Sequence, residues 1–95
     1  MPDINMIRDT LYPIFKDYNI KQAILFGSYA KGTARENSDI DIYVESGLKG
    51  LRFYGLLEDV TTSLGRPIDL IDASQIHKGS EIMDEIKRTG VVLYG

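Results

Sequence analysis

Apolar residues open the chain at helical spacing: Ile4, Ile7, Leu11, Ile14, Phe15 and Tyr18 form one stripe over about four turns. Asp3 stands where an N-cap carboxylate would serve the first free amides. Pro13 removes a helical hydrogen bond, so the pattern predicts a kink or two short helices meeting there. From Ala23 the pattern changes, and Ala23-Ile24-Leu25-Phe26 is a continuous apolar run that suits a central, doubly covered strand. Gly27 ends it. Residues 28–36 are small and polar, predicting a turn into one or two helical turns. Asp39-Ile40-Asp41-Ile42-Tyr43-Val44-Glu45 then alternates strictly, the clearest strand signal in the chain, and Ser46-Gly47 closes it. Phe53, Leu56, Leu57, Val60 and Leu64 return to helical spacing until Gly65 and Pro67 stop the helix. Ile68-Asp69-Leu70-Ile71 reads as a third strand. Ser80 begins a last helix with Glu81, Asp84 and Glu85 early and Lys87 and Arg88 late, the order the helix dipole favours. Gly90 reads as its C′ residue and Val91–Tyr94 as a closing strand. Helices and strands alternate, which predicts an α/β (α+β) fold: a small mixed β-sheet packed with helices, one domain over residues 1–95.

Composition narrows the chemistry. The 95 residues contain no Cys and one His, His77, which excludes disulfides and thiolate metal sites and disfavours zinc. Eleven Lys and Arg against 14 Asp and Glu give a net charge of −3. That lacks the basic footprint needed to bind duplex nucleic acid directly, though it leaves room for a local phosphate site. No apolar run approaches the ~20 residues of a membrane span, and MPDINMIRD lacks a basic-then-apolar leader. A cytoplasmic chain without a membrane partner is expected.

The acids carry the chemistry. Strand alternation puts Asp39 and Asp41 on one face, ~7 Å apart along the strand. On its own such a pair reads more readily as a solvated face than as a cation site. Asp69 shifts the balance, because it lies between Ile68 and Leu70 in a segment that reads as interior, where a carboxylate needs a partner. If Asp69 neighbours that face, three acids converge, and each pair at ~5 Å repels by roughly 3 kcal/mol at an effective dielectric near 20. A bound cation makes such a cluster sensible. Asp72 falls on the face of Ile68 and Leu70 at the strand end and reads as a turn or cap residue. Hard cations such as Mg²⁺ take carboxylate oxygens and keep positions open for substrate phosphates. Gly27 and Ser28, where a buried strand turns into a small-residue segment, could hold those phosphates through backbone amides and the hydroxyl. Gly27 and Gly32 have P-loop spacing, but Thr33 stands where Lys is required, so this is no P-loop.

The string Leu25-Phe26-Gly27-Ser28, ten residues, then Asp39-Ile40-Asp41-Ile42 resembles the signature of the nucleotidyltransferase superfamily related to DNA polymerase beta. LFGSYAKGTARENSDIDIYV is similar to the form found in minimal nucleotidyltransferases, the antitoxins paired with HEPN toxins, and the likeness extends to IDLI and the closing GVVLY. The resemblance implies a polymerase beta-like fold. It implies that Gly27 and Ser28 hold the triphosphate of ATP, and that Asp39 and Asp41 ligate two Mg²⁺ ions, for which Mn²⁺ could substitute. Asp69 would complete the metal site and help activate the acceptor hydroxyl. Lys31 stands where the family often has Arg, and would meet phosphate as a point charge rather than a fork. The implied reaction is AMP transfer from ATP to a tyrosine of a HEPN ribonuclease toxin, within a hetero-oligomer. The chain carries no residues for an added acceptor-gripping domain, so the acceptor is expected to be a partner protein or to be held by one.

Other residues read more simply. Lys31 and Arg35 could steer the nucleotide or be merely solvated. His77 reads as a surface residue. Tyr43 shares the acidic face and could border the nucleotide, and Phe53-Leu56-Leu57-Val60-Leu64 is core. Two other functions stay open: an antitoxin acting by occlusion with a vestigial metal site, and a catalytic subunit that nucleotidylates a small molecule.

Overall fold

A computed structural model describes residues 2–95. The elements run α1 (Ile4–Asp17), β1 (Gln22–Phe26), α2 (Gly27–Lys31), β2 (Ile40–Glu45), α3 (Leu51–Leu64), β3 (Ile68–Asp72), α4 (Glu81–Thr89) and β4 (Val91–Tyr94), with a 3₁₀ turn at Ala73–Gln75. The sheet order is β3-β2-β1-β4. β1 pairs antiparallel with both β2 and β4, and β2 pairs parallel with β3. The sheet is therefore mixed, with the apolar run of β1 at its centre, as its pattern requires. The parallel pair needs a crossover, and α3 supplies it.

Strand alternation divides the sheet into two unequal faces. Ala23, Leu25, Ile40, Ile42, Val44 and Leu70 meet Ile7, Leu11 and Phe15 of α1 and Leu56 and Val60 of α3 in the main core. Each of the large aliphatic side chains fully buried there contributes about 1.5–3 kcal/mol by leaving water. The opposite face is only partly covered. There Ile86 of α4 packs on Phe26 and Tyr43, with Ile24, Ile71 and Met83 around them. The rest of that face carries the acids.

The caps follow the sequence. The Asp3 carboxylate accepts from the Met6 amide at 2.8 Å, and the Ser80 hydroxyl accepts from the Met83 amide at 3.2 Å. Gly65 closes α3 in the left-handed region at φ 64°. Two expectations are corrected. Pro13 does not divide α1 into two short helices, since one helix runs from Ile4 to Asp17 with the proline inside it. Both Pro13 and Asp9, whose carbonyl loses its partner, are exposed, which lets solvent reach the gap in the hydrogen-bond ladder. Gly90 caps α4 with extended backbone (φ −68°, ψ 149°) instead of the left-handed turn. Space explains the glycine there, since a Cβ would strike the Ile86 carbonyl and the Ile24 side chain.

Candidate active site

The sheet register assembles the site. Phe26, the last residue of β1, pairs with Asp41, and Asp41 pairs with Asp69 across the parallel ladder. Paired residues of neighbouring strands share a face at about 4.8 Å spacing, so the end of β1 and the starts of β2 and β3 converge. The Ile40 amide donates to the Pro67 carbonyl at 3.2 Å and pins this register where the two strands begin.

Gly27 begins the turn out of β1 with φ 73°, a conformation that side chains resist. It has a second reason to be glycine: a Cβ there would overlap the Asp41 carboxylate. The glycine-serine turn and the acid strand are thus in direct contact. Ser28 follows, half-buried at the start of α2, and Gly32 ends that short helix at φ 76°. The segment leading to Asp39 is tethered from below. Arg66 donates to the Glu36 carbonyl at 3.1 Å and to the Tyr29 hydroxyl at 3.4 Å, and the Arg35 amide donates to Ser38 Oγ at 2.9 Å.

The electrostatics are those of an uncompensated cluster. Partial burial, then the charges of Asp69, Asp39 and Glu85 and a hydrogen bond to Asp69, push the Asp41 carboxyl up to about 6. Among the described residues, no three His, Cys, Asp or Glu side chains are already drawn together as the ligand set of an ion. Asp41 and Asp69 are joined by the ladder, whereas Asp39, expected to open the strand, lies one residue before β2 and acts on Asp41 through charge. The donor set nevertheless fits a hard divalent cation. It offers carboxylate oxygen only, and a cation would relieve the repulsion that raises Asp41.

Asp69 reached this cluster for a reason other than the expected one. It is exposed on edge strand β3, not interior, because α4 leaves this part of the sheet face open. Tyr43 is likewise corrected. It is buried beneath α4 with Phe26 and Ile86, and its hydroxyl donates to Glu45 at 3.5 Å, away from the acids, so it does not border the site. Asp72 is the cap residue expected. It accepts from the Ser74 amide and hydroxyl at 3.0 and 2.6 Å and from the Ser46 amide and hydroxyl at 3.1 and 2.5 Å. Burial works to raise its carboxyl, but those four donors prevail and hold it below the ordinary carboxylate value. His77 and Arg35 are exposed.

Glu85 is the residue that sequence reasoning missed. From α4 its Oε2 accepts the Gly27 amide at 3.1 Å, while Oε1 lies 3.9 Å from Lys31 Nζ. The available signal was its position beside Ile86, the residue that seats α4 on the sheet, but nothing local shows which loop lies opposite. Concave spaces of about 460 and 500 Å³ lie elsewhere, the first lined by Pro2, Asp3 and Tyr29 among others, the second by Phe53, Tyr54 and Leu57. The acids face an open surface. Among the described residues, no helix is long and apolar enough to cross a membrane.

Comparison with known proteins agrees with this geometry. The family described as Polymerase beta, Nucleotidyltransferase matches residues 9–95. A Methanocaldococcus jannaschii protein, provisionally named a protein adenylyltransferase, is 39% identical over 80 residues, covering 79% of this chain and 83% of that one. The protein adenylyltransferase MntA of Thermococcus cleftensis is 36% identical over 64 residues, 65% of each chain. A crystal structure of a toxin-antitoxin with AMP-PNP superposes with a TM-score of 0.76 at 27% identity, covering 93% of this chain and 73% of that chain. With a mixed four-stranded sheet, a glycine-serine turn seated against a strand aspartate, and a family match over nearly its whole length, the chain belongs to the polymerase beta nucleotidyltransferase family.

Proposed function

We propose that the chain is a protein adenylyltransferase, moving AMP from ATP to the hydroxyl of a tyrosine on a HEPN-type ribonuclease toxin bound to it as a partner. The observation that carries this reading is Asp41, seated against Gly27 and paired in register with Asp69. The relatives named as protein adenylyltransferases support it, as does the toxin-antitoxin neighbour that holds AMP-PNP. The open acid surface supports it too: an acceptor brought by another chain needs no deep pocket here.

In this reading the Gly27 amide and the Ser28 hydroxyl donate to the triphosphate, and Lys31 adds charge to it. Asp39, Asp41 and Asp69 would hold Mg²⁺. When bound, paired ions of this kind stabilise the attacking and leaving oxygens of an in-line displacement. Asp69, exposed on the edge strand, would complete the metal site and help activate the incoming hydroxyl by accepting its proton. The bond from acceptor oxygen to the α-phosphorus forms as the α–β phosphoanhydride bond breaks, and pyrophosphate leaves. The protein's share is positioning and charge.

The test is incubation of the purified chain with its toxin partner, ATP and Mg²⁺, followed by mass spectrometry of the partner. A mass gain of AMP located on tyrosine is expected, and Asp41→Asn should abolish it. AMP transfer by Asp41→Asn at the wild-type rate would end the mechanism. Neutralisation that survives in that variant without any transfer would identify an antitoxin acting by occlusion, and label on a small molecule instead of the partner would reassign the acceptor.

A further inference from the structure

Glu85 has no part in the chemistry above, yet it holds two groups assigned to the nucleotide. Its carboxylate accepts the Gly27 amide at 3.1 Å and faces Lys31 Nζ at 3.9 Å. An amide and an ammonium are what a phosphate oxygen would seek in the same place. The contact is built from the far end of the chain, and α4 is seated independently of it, through Ile86 on Phe26 and Tyr43. The Glu85 side chain is itself a third exposed, so it can swing into solvent without moving the helix backbone.

We propose that Glu85 is an internal stand-in for phosphate: it occupies the Gly27 amide and Lys31 until a nucleoside triphosphate displaces it, and so weakens triphosphate binding selectively. The proposal rests on the reading of Gly27 and Lys31 as triphosphate contacts. Glu85 is a positioning residue here, acting on affinity and leaving the transfer step to the other acids.

Two variants separate its charge from its hydrogen bond. Glu85→Gln keeps an acceptor for the Gly27 amide and removes the charge, whereas Glu85→Ala removes both. Isothermal titration calorimetry with AMP-PNP and Mg²⁺ should give binding about tenfold tighter (~1.4 kcal/mol) in Glu85→Ala. Glu85→Gln should lie between that variant and the wild type. Adenosine, which brings no phosphate, should bind all three proteins alike. Unchanged or weaker AMP-PNP binding in both variants would overturn the proposal and make Glu85 a support for Lys31 or α4. An equal gain for adenosine would overturn it as well, since the effect would not concern phosphate. If the wild type and both variants all fail to bind AMP-PNP, the phosphate reading itself falls, and this proposal with it.

Discussion

Asp41 and Asp72 lie on opposite faces of the same two-stranded ladder and have opposite fates. Asp72 is buried at the exit of β3, where four donors from Ser46 and Ser74 converge on it and hold its carboxyl low. Asp41 is half-buried at the start of β2, where its charged neighbours are Asp69, Asp39 and Glu85, and its carboxyl is pushed up to about 6. The first end of the ladder is a completed structure. The second is an arrangement whose charge balance needs something from outside. A carboxylate in a strand therefore says little alone, and the sign of its surroundings decides whether it holds the fold or does chemistry.

Substitution should separate the two ends sharply. Asp41→Asn should lower the AMP-transfer rate by about a thousandfold while the protein stays folded, and Asp72→Asn should retain transfer wherever it remains folded. Equal loss of rate in both, at matched folded fractions, would erase the distinction. Conversely, Asp72→Ala leaves the donors of Ser46 and Ser74 without their acceptor and should cost about 3 kcal/mol of stability in urea denaturation. Next in size is the response to metal. Mg²⁺ binding only the folded state should stabilise by ~2.7 kcal/mol at a hundredfold excess over Kd, and the Asp41→Asn variant should lose most of that gain.

The smallest effect is the dependence on pH, where the two aspartates work in opposite senses. Asp41 holds its proton more tightly folded than unfolded, so stability falls as pH rises from 3.8 to about 6. Its full shift would be about 3 kcal/mol, but solvent screens this half-exposed group, and ~1 kcal/mol is the expected size. Asp72, held low, contributes stability that is present above the ordinary carboxylate value and is lost as pH falls through its folded value. Asp41→Asn should therefore flatten the decline between pH 4 and 6 in metal-free buffer, measured by urea midpoints, and leave the acid-side loss in place.

Much of this was legible in the chain. Period-2 and period-3.6 patterning placed the main elements, and the strict alternation around Asp41 put it on the opposite side from Ile40 and Ile42. The pairing of Asp41 with Asp69 was only suspected, because register is a tertiary fact, and the apolar neighbours of Asp69 suggested a burial that an edge strand under a short helix does not impose. The rule for proline predicted a kink or a division at Pro13 from the lost hydrogen bond, and the division does not occur where that bond is lost on an exposed side of the helix. Glu85 was invisible for a different reason: its partner, Gly27, is 58 positions away, and an acid in the first half of a helix has an ordinary explanation in the dipole.

The seat of Gly27 against the Asp41 carboxylate makes the two positions interdependent in space. A methyl group at 27 and the carboxylate at 41 compete for one volume, so any side chain at 27 would force the Asp41 carboxylate out of its present place. Shortening Asp41 would clear that volume, yet the positive φ at 27 would still favour glycine, so the turn keeps its shape requirement even without the acid.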